Sequence, residues 1–234
     1  MAYRAVFFDA GETIVYPHPS FPELLAQVLR QEGHEIDPAR IRDKVPVVVD
    51  IFTRAAEEGE LWSTSPERSR RFWARVYGRL FEELGLPFGD RMAERIQETF
   101  TDVGNYRLFP DVLTTLDRLR RAGVRLGVVS NFEEWLERLL ESLAVTTYFD
   151  VRVISGVEGV EKPDPKIFHL ALERMEVGPE ESVYVGDSPQ FDVEPATLVG
   201  MLGILLDRRG RFPDHAGLRI TSLEELPGAI GLAA

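Results

Sequence analysis

The sequence predicts an α/β protein: a doubly wound parallel sheet, interrupted after its first strand by a small all-helical insertion. Three observations predict it. Short apolar runs are continuous rather than alternating, as in strands buried on both faces. From about residue 106 onward these runs take turns with amphipathic helical stretches. Between them, residues 16–104 show helical patterns only.

Taken in order, "AVFF" is the first strand, and it ends on Asp9. Four helical segments follow: "FPELLAQVLRQEG", "PARIRDKVPVVVDIFTRAAEEG", "SPERSRRFWARVYGRLFEELG" and "GDRMAERIQETF". Pro46 is expected to kink or divide the second of these, because its ring removes a backbone donor. The core then resumes. Asp111 is placed to cap a helix with Leu113, Leu116 and Leu119 on its core face, ended by Gly123. "RLGVV" is the second core strand. Asn131 is read as the cap of "FEEWLERLLESL", which buries Trp135, Leu136, Leu139, Leu140 and Leu143 at helical spacing. "DVRVI" is the third strand. Asp164 and Pro165 open the helix "PKIFHLALERM", and "SVYV" and "MLGILL" complete the sheet. The core is therefore assigned to residues 1–15 and 105–234, and the insertion to 16–104.

Composition narrows the function. A net charge of −12 argues against nucleic-acid and anionic-membrane partners, which reward clustered Lys and Arg. There are no cysteines, and the four histidines are scattered, so thiolate chemistry and a zinc site are not expected. No long apolar segment precedes Asp9 and no run approaches transmembrane length. A soluble, cytoplasmic protein is expected, with its oligomeric state open.

Ligands of doubly wound sheets bind outside the carboxyl ends of the strands. Those ends carry Asp9, Ser130-Asn131, Lys162 in "GVEKPDP", and Asp187 with Asp192 in "GDSPQFD". Three converging carboxylates repel one another unless a cation joins them, and hard oxygen ligands suit Mg²⁺. A carboxylate can attack a phosphoryl group once that repulsion is offset by a metal and a lysine. Ser130 and Asn131, at what reads as a helix N-terminus, could hold the remaining oxygens of a small anionic substrate such as a phosphate ester. Only three of the 27 basic residues are lysine, which suggests a specific need for the compact ammonium of Lys162.

With "FFDAGET", "VVSN", "EKPDP" and "GDSPQFD" in this order, the chain resembles the haloacid dehalogenase superfamily of hydrolases, in the branch with a helical cap inserted after the first strand. The resemblance covers nearly the whole chain and implies a Rossmann-like core with a cap domain. It implies Asp9 as nucleophile, Ser130 as phosphate-binding hydroxyl and Lys162 as charge neutraliser. Asp187 and Asp192 would lie around the metal, the Gly11 carbonyl would be a further ligand, and Thr13 would support the first loop. One departure stands out. Phosphatases of the family read D-x-D-G-T, the second Asp protonating the leaving alcohol; here that position is Gly11, and the family's glycine is Glu12. Residue 12 of an extended chain faces away from residues 9 and 11, so Glu12 is expected to point away from the leaving group. A substitute-acid role for Glu12 remains open. The expected activity is hydrolysis of a small phosphate monoester. A metal-independent 2-haloacid dehalogenase, in which Asp9 attacks carbon, is one alternative; a catalytically weak binding or regulatory protein is another.

Overall fold

The computed structural model describes residues 3–232, so the outermost residues of the expected core lie outside it. Two compact units are present: residues 16–107, and a second unit built from the chain before and after them.

The second unit holds a six-stranded parallel sheet with helices on both faces. Its strands are β1 (Ala5–Phe8), β4 (Arg125–Ser130), β5 (Val151–Ile154), β6 (Ser182–Gly186), β7 (Leu202–Leu206) and β8 (Leu218–Ile220), in the order β5-β4-β1-β6-β7-β8. β2 (Val15–Pro17) and β3 (Tyr106–Leu108) form a separate two-stranded ribbon where the chain leaves and re-enters the sheet unit. β1 is central and wholly buried, which explains its unbroken apolar sequence. Successive strands run outward from β1 on one side and from β6 on the other. The order therefore reverses between β1 and β6, where ligand crevices of such sheets form. On one face Phe7, Val129, Val153, Ile167, Phe168, Tyr184 and Met201 form a common core. Phe7 pairs with Gly127 of β4, and a methyl group on Gly127 would meet the Phe7 ring at 2.5 Å.

The inserted unit contains α1 (Phe21–Gln31), α2 (Pro38–Glu57), α3 (Pro66–Leu84) and α4 (Asp90–Thr101). Ser20, Asp37 and Ser65 cap the first three through their side chains, each followed directly or one residue later by proline. α2 runs unbroken through Pro46, contrary to a division of the helix there; the lost donor costs one hydrogen bond, and the chain continues. Phe52, Trp62, Phe72, Trp73 and Tyr77 pack ring against ring. Trp62 and Tyr77 are buried and so serve this unit's own core, whereas Trp73 is 37% exposed.

The remaining helices belong to the sheet unit: α5 (Val112–Arg121), α6 (Leu136–Ser142), α7 (Ser155–Glu158), α8 (Pro165–Met175), α9 (Glu194–Leu198) and α10 (Leu226–Ala229). Asp164 caps α8 by accepting from the Lys166 amide, as its sequence position implies. Two expected caps differ. Asp111 makes no side-chain cap to α5. Its carboxylate binds Arg208, the Ser222 hydroxyl and the Leu223 amide instead. α5 buries Val112, Thr115, Leu116 and Leu119, while Leu113 is exposed. Asn131 likewise caps no helix, because α6 begins only at Leu136. The intervening Phe132 is stitched to Ser155 through both backbone groups, which holds the segment out of helical geometry. Leu143 closes α6 half-buried rather than in the core.

Candidate active site

Asp9 extends β1 by one residue, its amide bonded to the Val185 carbonyl at 2.9 Å. Being central in the sheet, it lies between the ends of β4 and β6. From β4, the Ser130 hydroxyl donates to Asp9 Oδ1 at 3.0 Å. Lys162 Nζ donates to the same oxygen at 2.8 Å, to Asp192 Oδ1 at 2.6 Å and to the Tyr184 hydroxyl at 3.0 Å. All three ammonium hydrogens are thereby used. Tyr184, on β6, donates in turn to the Val129 carbonyl at 2.6 Å. Among the described residues both donors to Asp9 sit on Oδ1, and none sits on Oδ2. Asp192 stands on a wide helical turn, Pro189–Val193, and accepts the Ser188 amide at 3.0 Å. Its close seat against β6 requires Gly186, where an added methyl would meet the carboxyl carbon at 2.3 Å.

Asp187 completes the acidic group. One carboxylate oxygen from each of Asp9, Asp187 and Asp192 lies within 4.8 Å of the others. Such a set of hard oxygen donors fits a divalent cation of the magnesium type. The electrostatics show how tightly the charges are matched. Burial disfavours the Lys162 ammonium, but the Asp192 and Asp9 carboxylates outweigh it and hold its pKa well above that of an ordinary lysine. Burial raises the Asp192 pKa, with the Asp9 charge adding to it and Lys162 opposing. Asp187 is pushed up to about 7, first by burial and then by the Asp192 and Asp9 charges, with Arg211 pulling the other way. Two carboxylates share one ammonium here, and the third has no equal compensation.

A sequence profile of haloacid dehalogenase-like hydrolases matches residues 3–200, which is most of the chain. The chain belongs to the haloacid dehalogenase-like hydrolases. Phosphoserine phosphatase of Thermus thermophilus is 35% identical over 245 residues, covering 95% of this chain and 97% of that protein. Glyceraldehyde 3-phosphate phosphatase of Methanopyrus kandleri is 43% identical over 219 residues, covering 90% and 86% respectively. Among solved structures, YfnB, a HAD-type protein of Bacillus subtilis, superposes with a TM-score of 0.80 at 18% identity, over 99% of this chain and 100% of that one.

Within this hydrolase of the haloacid dehalogenase family, Asp9, Ser130, Lys162, Asp187 and Asp192 come together in one cluster. The other expected residues are Asn131, Thr13 and Gly11. The Asn131 side chain both donates to the Lys162 carbonyl, at 2.7 Å, and accepts the Lys162 amide, at 2.6 Å. It fixes the lysine's backbone. The Thr13 hydroxyl is buried without a partner among the described residues, and the Thr13 carbonyl accepts Arg208 at 3.0 Å. Gly11 has open space where a side chain would begin, and no acid stands there. Glu12 sits at φ 57°, in the left-handed region that favours the glycine found at this position in the family's phosphatases. Its carboxylate is held by Arg209 at 2.6 Å. The sequence reading missed Tyr184, whose signal was one polar-tipped residue in an aliphatic strand ending at the Gly186-Asp187 turn. It also missed the arginines after β7.

Proposed function

We propose that the chain is a phosphatase for a small phosphate monoester, with Asp9 as its nucleophile and Mg²⁺ as its metal. The observation that supports this best is Asp9 itself: two donors fix one oxygen, the other is free, and a buried lysine joins it to a second carboxylate. Asp9 Oδ2 attacks phosphorus; the new P–O bond forms as the bond to the leaving oxygen breaks, and the departing alkoxide takes its proton from solvent. Water then hydrolyses the aspartyl-phosphate, releasing phosphate and restoring the carboxylate. Ser130 and Lys162 supply a hydroxyl donor and an ammonium beside the transferring group. Tyr184 and Asn131 position Lys162, one at its ammonium and one at its backbone. Asp9, Asp187, Asp192 and the Gly11 carbonyl would hold Mg²⁺, which supplies charge neutralisation for an anionic substrate. Relatives that hydrolyse phosphoserine or glyceraldehyde 3-phosphate by name support a substrate of that size and charge.

The dehalogenase reading keeps one observation in its favour, the missing acid at Gly11. Displacement of halide from carbon needs no proton donor and no metal, however, and the Asp187–Asp192 pair would then have no task. A panel of phosphate esters and 2-haloacids, each assayed with Mg²⁺ and with EDTA, separates the two. Phosphate release that stops in EDTA and returns with Mg²⁺ is expected. Halide release unaffected by EDTA, without phosphatase activity, would overturn the proposal.

A further inference from the structure

The loop after β7 reaches three separate segments of the sheet unit through three arginines. Arg208 binds Asp111 and the Thr13 carbonyl, Arg209 binds Glu12, and Arg211 binds Asp187. The loop is held from beneath by Asp207, which is 1% exposed. Its carboxylate accepts the Arg211 amide at 2.8 Å, the Phe212 amide at 3.0 Å and Arg219 at 3.1 Å, while its own amide bonds to the Ile220 carbonyl. Burial works against the Asp207 carboxylate, but these donors outweigh it and keep its pKa below the usual range. The Arg211 guanidinium also lies 5.3 Å from the Phe212 ring centroid. Position 211 is thus fixed by its backbone, and its guanidinium lands on Asp187 Oδ2 at 2.7 Å.

We propose that Arg211 is a positioning residue for the metal site. By binding one oxygen of Asp187 it sets the carboxylate so that an oxygen stays within 4.8 Å of those of Asp9 and Asp192. The inference rests on the metal reading given above. A carboxylate ligand generally needs such an outer partner, and losing one typically costs about 10–100-fold in metal affinity. Arg211 is bonded to Asp187 and to neither of the other carboxylates among the described residues. It therefore orients one member of the set without filling the space between all three.

The direction of the effect makes the test sharp. Removing a positive charge beside a cation site should tighten cation binding if charge alone mattered, whereas removing an orienting contact should weaken it. Arg211→Gln and Arg209→Gln remove the same charge from the same loop. Mg²⁺ is titrated calorimetrically into chelator-stripped full-length wild type and both variants, with circular dichroism confirming that each is folded. The expected result is about 10–100-fold weaker Mg²⁺ binding in Arg211→Gln, partial recovery in Arg211→Lys, and no loss in Arg209→Gln. Unchanged or tighter binding in Arg211→Gln overturns the inference alone, as does an equal loss in both glutamine variants. A wild type that binds no Mg²⁺ overturns the metal reading and the inference together. If Arg211→Gln fails to fold, Arg211→Lys carries the test, and full wild-type affinity there overturns the inference.

Discussion

Gly11 and Glu12 decide how the leaving group departs. The free volume at Gly11 admits a side chain, and Glu12 is engaged with Arg209 on a loop remote in sequence. A site without its own acid favours leaving groups that need little protonation. The wild type is expected to hydrolyse p-nitrophenyl phosphate far faster than alkyl phosphates. Gly11→Asp with Glu12→Gly should speed alkyl phosphates selectively, by up to the ~10²–10⁴ of general acid catalysis. The control is Glu12→Gln: if this alone cripples turnover of alkyl phosphates, Glu12 is the acid after all. Asp187 gives a second test at this scale. Its folded pKa of about 7 exceeds the ~3.9 of an unfolded aspartate, so the native metal-free state holds the proton more tightly. The stability it contributes is fully present below about pH 4 and is lost as pH rises through about 7. In EDTA, thermal melts between pH 5 and 8 should show wild type losing ground to Asp187→Asn as pH increases. Parallel pH profiles for the two proteins would contradict this. Asp9 and Ser130 were legible because each ends an apolar run, and Lys162 because it stands directly before a proline-marked turn in a chain with only two other lysines. Asn131 was misread for a physical reason: its residue type suits a helix cap, but its partner lies at residue 162, and only the folded chain joins them.

At the scale of elements, the five long strands were legible because burial on both faces leaves unbroken apolar runs. β8 was not, since a three-residue edge strand with two exposed positions resembles a turn. The same limit hid the loop after β7, whose order comes from a single buried aspartate rather than from any local pattern. Two glycines on the strands flanking β1 allow the roles of these elements to be separated. Gly127→Ala would press on the Phe7 ring at 2.5 Å, deep in the core, while Gly186→Ala would press on the Asp192 carboxyl at 2.3 Å. Overpacking typically costs ~1–3 kcal/mol, so both variants should melt earlier than wild type. Only Gly186→Ala should also lose most of its kcat and its response to Mg²⁺, because only there does the methyl displace a charged group bonded to Lys162. Melting curves and steady-state rates on the two variants check this. A Gly186→Ala protein with wild-type kcat would show that the position of Asp192 does not matter.

For the whole molecule, a chain of net charge −12 that hydrolyses an anion, as proposed, must gather positive charge locally. It does so with one buried lysine and, by the present reading, a metal at the point where strand order reverses. The identity of the substrate was not legible, because residues 16–104 carry no chemical motif and their buried aromatic residues serve their own core. Among the described residues no helix is long and apolar enough to cross a membrane. The central claim is that Asp9 forms a bond to phosphorus, and the most direct measurement is turnover of p-nitrophenyl phosphate by Asp9→Asn with saturating Mg²⁺. The amide keeps the size of the side chain and removes the nucleophilic charge, so the fold should persist by circular dichroism. Loss of a covalent nucleophile predicts a fall in kcat of more than about a thousandfold. A folded Asp9→Asn protein that retains appreciable turnover would contradict the account.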